Sequence, residues 1–99
     1  MATALKTRLV AVPGALCGGE LLAQVARLTG GVTAVRAAGI WLDDRGNQLA
    51  EAVTLVLMSG GSPEIDAAIG VLHAHLAANG EHAMYVLHLG SARIRRLNA

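Results

Sequence analysis

The sequence predicts an α+β sandwich of order βαββαβ: a four-stranded antiparallel sheet, strand order 4-1-3-2, with two helices on one face. Three observations carry this. Residues 31–59 read as two strands folded back on a polar turn, Asp43-Asp44-Arg45-Gly46-Asn47. Glycine pairs bracket that stretch, Gly30-Gly31 before it and Gly60-Gly61 after it. On each side stands a unit of one strand and one helix, so the chain echoes itself about the hairpin.

The elements follow in order. Residues 5–12 run from polar to apolar and stop at Pro13-Gly14, which fits a strand. The glycine-rich stretch 14–19 reads as a tight turn needing positive φ. Residues 20–28 place Leu21, Val25 and Leu28 at i, i+4 and i+7, the spacing of a buried helix stripe. The turn then gives Asp to open the reversal and Gly46 for positive φ. Ser62-Pro63-Glu64 opens a second helix, with Ser62 expected as N-cap and Pro63 at the first helical position. Ile65, Ile69, Leu72 and Leu76 form its stripe, and Asn79-Gly80 closes it. Residues 82–89 read as the fourth strand, followed by a tail holding Arg93, Arg95 and Arg96. Right-handed crossovers then leave one arrangement, the ferredoxin-like sandwich, as a single domain over residues 1–99.

Composition bounds the function. Hydrophobic residues make up 54% of the chain and charged residues 15%, too apolar for a disordered chain. A net charge of +1 gives no global drive toward nucleic acid, and two aromatics, Trp41 and Tyr85, offer little base stacking. No nucleic-acid partner and no membrane span are therefore expected. The single Cys17 excludes an intrachain disulfide and fits a reducing cytoplasm. At the start of a helix its pKa could be lowered; a small buried apolar role is the commoner one.

Both faces of the predicted sheet are apolar. Val10 and Val12 alternate with Leu9 and Ala11, Val56 and Met58 with Leu55 and Leu57, and Met84 and Val86 with Tyr85 and Leu87. Helices cover one face only, and the chain has no spare element for the other. A second copy is the expected cover, making the protein a homo-oligomer.

Among candidate sites the basic corner stands first. Strand order 4-1-3-2 brings Arg93, Arg95 and Arg96 beside Lys6 and Arg8. Arg93 and Arg95 share one side of an extended segment, a spacing suited to phosphate or carboxylate; a solvated, charge-protected edge is the plain alternative. The four histidines match no zinc spacing. His73 and His75 lie about 200° apart on a helix, and His82 and His88 fall on one strand face roughly 20 Å apart. Trp41, at the hairpin tip, reads as a packing anchor, within one copy or between copies. Asp43, Asp44 and Glu51 read as solvated turn and strand residues.

As a whole pattern, the chain resembles the trimeric PII-like and CutA-like proteins. Ala92-Arg93-Ile94-Arg95 is similar to the Arg-Ile-Arg segment that ends the PII core and contacts nucleotide phosphates. Asn79-Gly80-Glu81-His82, followed by Met84-Tyr85-Val86, is similar in position to the PII phosphate loop and last core strand. The loop here has no lysine, and the hairpin is short, as in CutA. The resemblance implies a trimer with Gly80, His82, Arg93 and Arg95 lining a cleft between subunits for a nucleotide or small anion. Lys6, Arg8 and Arg96 would be further anion contacts. A regulated protein partner would also follow. Two alternatives stay open: a small oligomeric enzyme with His82 or His88 as base, and a CutA-like trimer binding divalent metal. The cofactor is not identified by either route.

Overall fold

A computed structural model describes residues 2–95 and 97. It shows β1 (Ala2–Pro13), a 3₁₀ turn (Gly14–Leu16), α1 (Gly19–Thr29), β2 (Thr33–Leu42), β3 (Gln48–Gly60), α2 (Ser62–Ala78) and β4 (Val86–Arg95). The strands form one sheet in the order β2-β3-β1-β4, with every neighbouring pair antiparallel. This is the ferredoxin-like βαββαβ arrangement expected from the sequence.

Burial follows the two periodicities. Val10 and Val12 of β1 and Val56 and Met58 of β3 point to the helix side and are fully buried. Leu21 and Val25 of α1, and Ile65, Ala68, Leu72 and Leu76 of α2, meet them. Leu28 and Ile69 pack at the edge of this cluster. The other sheet face carries Leu9, Ala11, Leu55 and Leu57, all half-buried, with Leu87 46% and Tyr85 59% exposed. In its middle it is apolar, with a Thr7–Ser59 hydroxyl pair at 2.8 Å toward one end.

Four local expectations are corrected. Ser62 is not the N-cap: Gly61 is, with no side-chain cap, and Ser62 and Pro63 lie in the first turn. The first glycine stretch needs no positive φ. Gly14 is there for close approach, since a Cβ would stand 3.1 Å from the Ala52 carbonyl oxygen. The fourth strand begins at Val86 rather than at residue 82, so His82 and His88 do not share a strand. Finally, the arginine tail is itself strand: Arg93 faces Ala4 and Arg95 faces Ala2 across the β1–β4 ladder.

That ladder contains a bulge. Arg8 faces His88 but Lys6 faces Ser91, so β4 carries one extra residue. Gly90, at φ 84, takes the left-handed conformation that suits such an insertion. Past the bulge the alternation changes phase. Arg93 thereby joins the side of Lys6 and the helices, while Ala92 joins Leu87 on the open face.

The sheet extends past its helices at both ends. β3 stops at Gly60, opposite Lys6, so the first residues of β1 continue with β4 alone. At the other end β1 stops at Pro13, opposite Val53, and the β2–β3 hairpin continues alone to its tip. The principal extents are 54 × 23 × 21 Å.

Candidate functional site

The site begins at the end of α2. The Gly80 N–H donates to the Ala77 carbonyl (3.1 Å) and the Glu81 N–H to the Leu76 carbonyl (3.0 Å). These are the two bonds of a Schellman ending, and Gly80 supplies its left-handed residue at φ 83. The Asn79 amide adds a bond to the His75 carbonyl at 2.8 Å. The chain therefore leaves the helix at a fixed angle and carries Glu81, His82 and Ala83 across to the open face of the sheet.

There they meet the hairpin. A cavity of about 290 Å³ is lined by Ala11, Pro13, Val53, Trp41, Tyr85, Glu51, Glu81, His82 and Ala83. Its wall is the Trp41–Tyr85 pair, with ring centroids 5.9 Å apart and planes inclined by 16°. Trp41 belongs to one edge strand of the sheet and Tyr85 precedes the other, so the pair bridges both over β3 and β1. Gly39 makes room for this: a Cβ there would stand 3.1 Å from Trp41 Nε1. Val53, though on the open face, is only 8% exposed beneath these rings. Trp41 is thus a packing anchor within one chain. A smaller cavity of about 90 Å³ lies on the far side of the same loop and shares Glu81, His82 and Ala83 with the first.

The remaining sequence-predicted residues lie elsewhere. Arg93 is exposed near the far end of β4, seven residues beyond Val86 and so more than roughly 20 Å along the strand. Lys6 and Arg93 sit one diagonal apart on the same side of the β1–β4 pair, within reach of a shared anion. Arg95 follows at the next matching register position. Arg8 is turned to the backbone beside it, Nη1 donating to the Thr7 carbonyl at 2.9 Å. Arg96 lies outside the described residues. One copy therefore builds two separate groups, the 80–83 loop with its cavity and the Lys6–Arg93 row. It does not join them.

The other candidates resolve individually. Cys17 is not activated: burial pushes its thiol above the ordinary value, and a hydrogen bond to the Thr54 side chain opposes this only in part. His75 and the Leu16 carbonyl are hydrogen bonded at 2.6 Å, which ties α2 to the 3₁₀ turn. His88 faces Arg8 across the β1–β4 ladder. Among the described residues, no three or more His, Cys, Asp or Glu side chains come close enough to hold one metal ion. Asp43 organises the turn: its Oδ1 accepts from the Arg45 and Asn47 N–H groups at 2.9 and 2.8 Å. The Asn47 backbone bond leads in holding this carboxyl below the usual range.

The aromatic wall and the two glutamates of the cavity were not predicted from sequence as a site. One faint signal was there to read: a chain with no Phe holds one Trp and one Tyr.

No protein-family profile matches the chain, and no curated protein matches it by sequence. Solved structures match its shape end to end. CPII, a nitrogen regulatory PII-like protein from Thiomonas intermedia K12, bound to ADP, AMP and bicarbonate, is 16% identical at a TM-score of 0.66. The match covers 99% of this chain and 100% of that one. CutA1 from Oryza sativa is 19% identical at a TM-score of 0.59, covering 98% of this chain and 85% of that one. The divalent cation tolerance protein CutA1 from Thermus thermophilus is 17% identical at a TM-score of 0.56, covering 95% and 87%. No helix among the described residues is long and apolar enough to cross a membrane. The chain thus has the fold of the PII-like and CutA proteins.

Proposed function

We propose that the chain is a small, self-assembling PII-like regulatory protein that senses a nucleotide or small anion between its subunits. The observation that carries this reading is the end-to-end match to a PII-like protein whose structure holds ADP, AMP and bicarbonate. The geometry is compatible. The open sheet face is apolar and uncovered, so copies packed through it would remove Leu9, Leu55, Leu57 and Leu87 from water. Assembly would also bring the 80–83 loop of one copy to the arginine row of another, which a single copy does not do. In the proposed cleft Arg93 and Arg95 supply guanidinium forks for phosphate or carboxylate, with Lys6 beside them. Gly80 and His82 close it from the neighbouring subunit, and three copies is the arrangement that the resemblance implies.

The test combines native mass with thermal unfolding in ADP, AMP, phosphate and bicarbonate. A ligand at about 100 times its dissociation constant adds roughly 2.7 kcal/mol of stability. The expected result is an oligomer stabilised by at least one of these ligands, with the shift abolished in Arg93→Ala/Arg95→Ala. A monomer unmoved by all four would overturn the reading.

A further inference from the structure

We infer that the outer edge of β2 is a pairing surface for the β2 of a second copy, joining two copies in antiparallel register about Ala38. The inference stands on β2 itself and needs neither the open-face packing nor the anion site. The Asp43 N–H donates to the Asn47 carbonyl at 3.0 Å, which turns the Asp43 backbone toward β3. That direction alternates along an antiparallel strand, and the β2–β3 register runs without a shift from Leu42 back to Thr33. Ala34, Arg36, Ala38, Ile40 and Leu42 therefore aim their N–H and C=O groups away from the sheet. These five positions are symmetric about Ala38. A second β2, laid antiparallel with Ala38 facing Ala38, would pair all five at once: Ala34 opposite Leu42, Arg36 opposite Ile40, and Ala38 opposite itself. Any slip from this register leaves outward groups unpaired. The symmetry selects a second copy over an unrelated strand, which has no reason to centre on Ala38.

The two edges of the sheet are built differently. An edge that stays unpaired is blunted by a bulge, a proline or charges. β4 has its bulge at Gly90 and carries Arg93 beyond it. β2 runs ten residues with no proline, no register shift and one charge, Arg36. Its side chains fit the same pairing. Ile40 and Leu42 are 67% and 69% exposed. They are in phase with Ala34, which faces Val56, so they lie on the helix side of the sheet, where packing through the open face would leave them in water. In the paired edge Leu42 meets Ala34 of the second copy, and Ile40 meets the aliphatic stem of its Arg36. On the open side Val35 meets Trp41 and Ala37 meets Gly39, in the non-hydrogen-bonded pairs where side chains stand closest. The two Arg36 side chains stay apart, offset by four residues or roughly 13 Å along the strand.

Native mass at a fixed protein concentration tests this. Ile40→Lys places an ammonium opposite Arg36 of the second copy and should reduce the native mass by half or more. Adding Arg36→Glu makes each such pair opposite in charge and should restore the larger mass. Within one chain, positions 36 and 40 are roughly 13 Å apart and do not pair, so the rescue reports pairing between copies in this register alone. Ala38→Pro removes an outward N–H without removing a bond to β3, so it should lower the mass as Ile40→Lys does while circular dichroism shows the sheet intact. The same changes made in Leu87→Ala separate this edge from the open face: the drop and its rescue should persist there, whatever becomes of the open-face assembly. An Ile40→Lys mass equal to that of the unaltered protein would overturn the inference, and this is also the outcome if the edge takes a foreign strand. A lowered mass that Arg36→Glu fails to restore would overturn it as well.

Discussion

Leu87 gives a quantitative handle on assembly. It sits opposite Leu9 in the middle of the open face and is 46% exposed in one copy. Leu87→Ala removes three carbons, each worth about 0.8 kcal/mol on full burial. In the proposed assembly a neighbouring copy would supply nearly half of that burial, so the change is expected to weaken association by about 1 kcal/mol per subunit. In a trimer the three losses combine to about 3 kcal/mol, or roughly a hundredfold in the assembly constant. Sedimentation equilibrium over a range of protein concentrations measures this. Leu72→Ala serves as the contrast: Leu72 is fully buried on α2, so its loss should cost about 2–5 kcal/mol of folding stability without changing the assembling surface. An unaltered association constant in Leu87→Ala would refute the claim that this face is the one covered.

Gly90→Ala should cost about 1–2 kcal/mol in urea unfolding, because the left-handed conformation at φ 84 strains any residue with a Cβ. Deleting Gly90 removes the bulge, so Arg93 should lose its place beside Lys6; an unchanged phosphate or ADP response in the deletion would contradict the assigned register. Asp43 has a lowered pKa, so its contribution is present above the ordinary carboxylate range and lost as pH falls through its depressed value. Asp43→Ala should therefore narrow the stability gap between neutral and acid pH, as read by thermal unfolding. Cys17 has the opposite sign: its raised pKa favours the thiol, so stability should fall as pH rises through the alkaline range, and Cys17→Ala should remove that fall. At neutral pH the thiol should react slowly with iodoacetamide.

The fold was legible because each helix announces itself twice. Leu21 and Val25 set one stripe, Ile65, Leu72 and Leu76 the other, and glycine stands beside every helix end. The hairpin was equally plain from its polar turn. What escaped was set by tertiary context. Residues 82–85 alternate like a strand, yet the Schellman ending at Gly80 directs them across to the open face. The bulge at Gly90 was hidden because Leu89-Gly90-Ser91 looks like a strand end when strand 4 is started too early. The cavity was least legible of all. Trp41 and Tyr85 belong to opposite edges of the sheet, and no sequence spacing shows that their ring centroids stand 5.9 Å apart. Glu51 read as a solvated residue because no local pattern predicts what will be folded over it. Strand order alone placed Arg93 near Lys6, whereas their sharing one side of the β1–β4 pair depends on the bulge.

The two overhanging ends of the sheet alter how a single copy would look in solution. A compact chain of this length has a radius of gyration of about 12.6 Å, whereas this one reaches 15.1 Å. An isolated subunit is thus a rod and would elute from a sizing column ahead of its mass. Were three such rods to pack side by side, as in the proposed assembly, scattering data would show mass tripling while the envelope becomes rounder. Column position alone would then blur the difference between one copy and several, and angular scattering profiles would separate them.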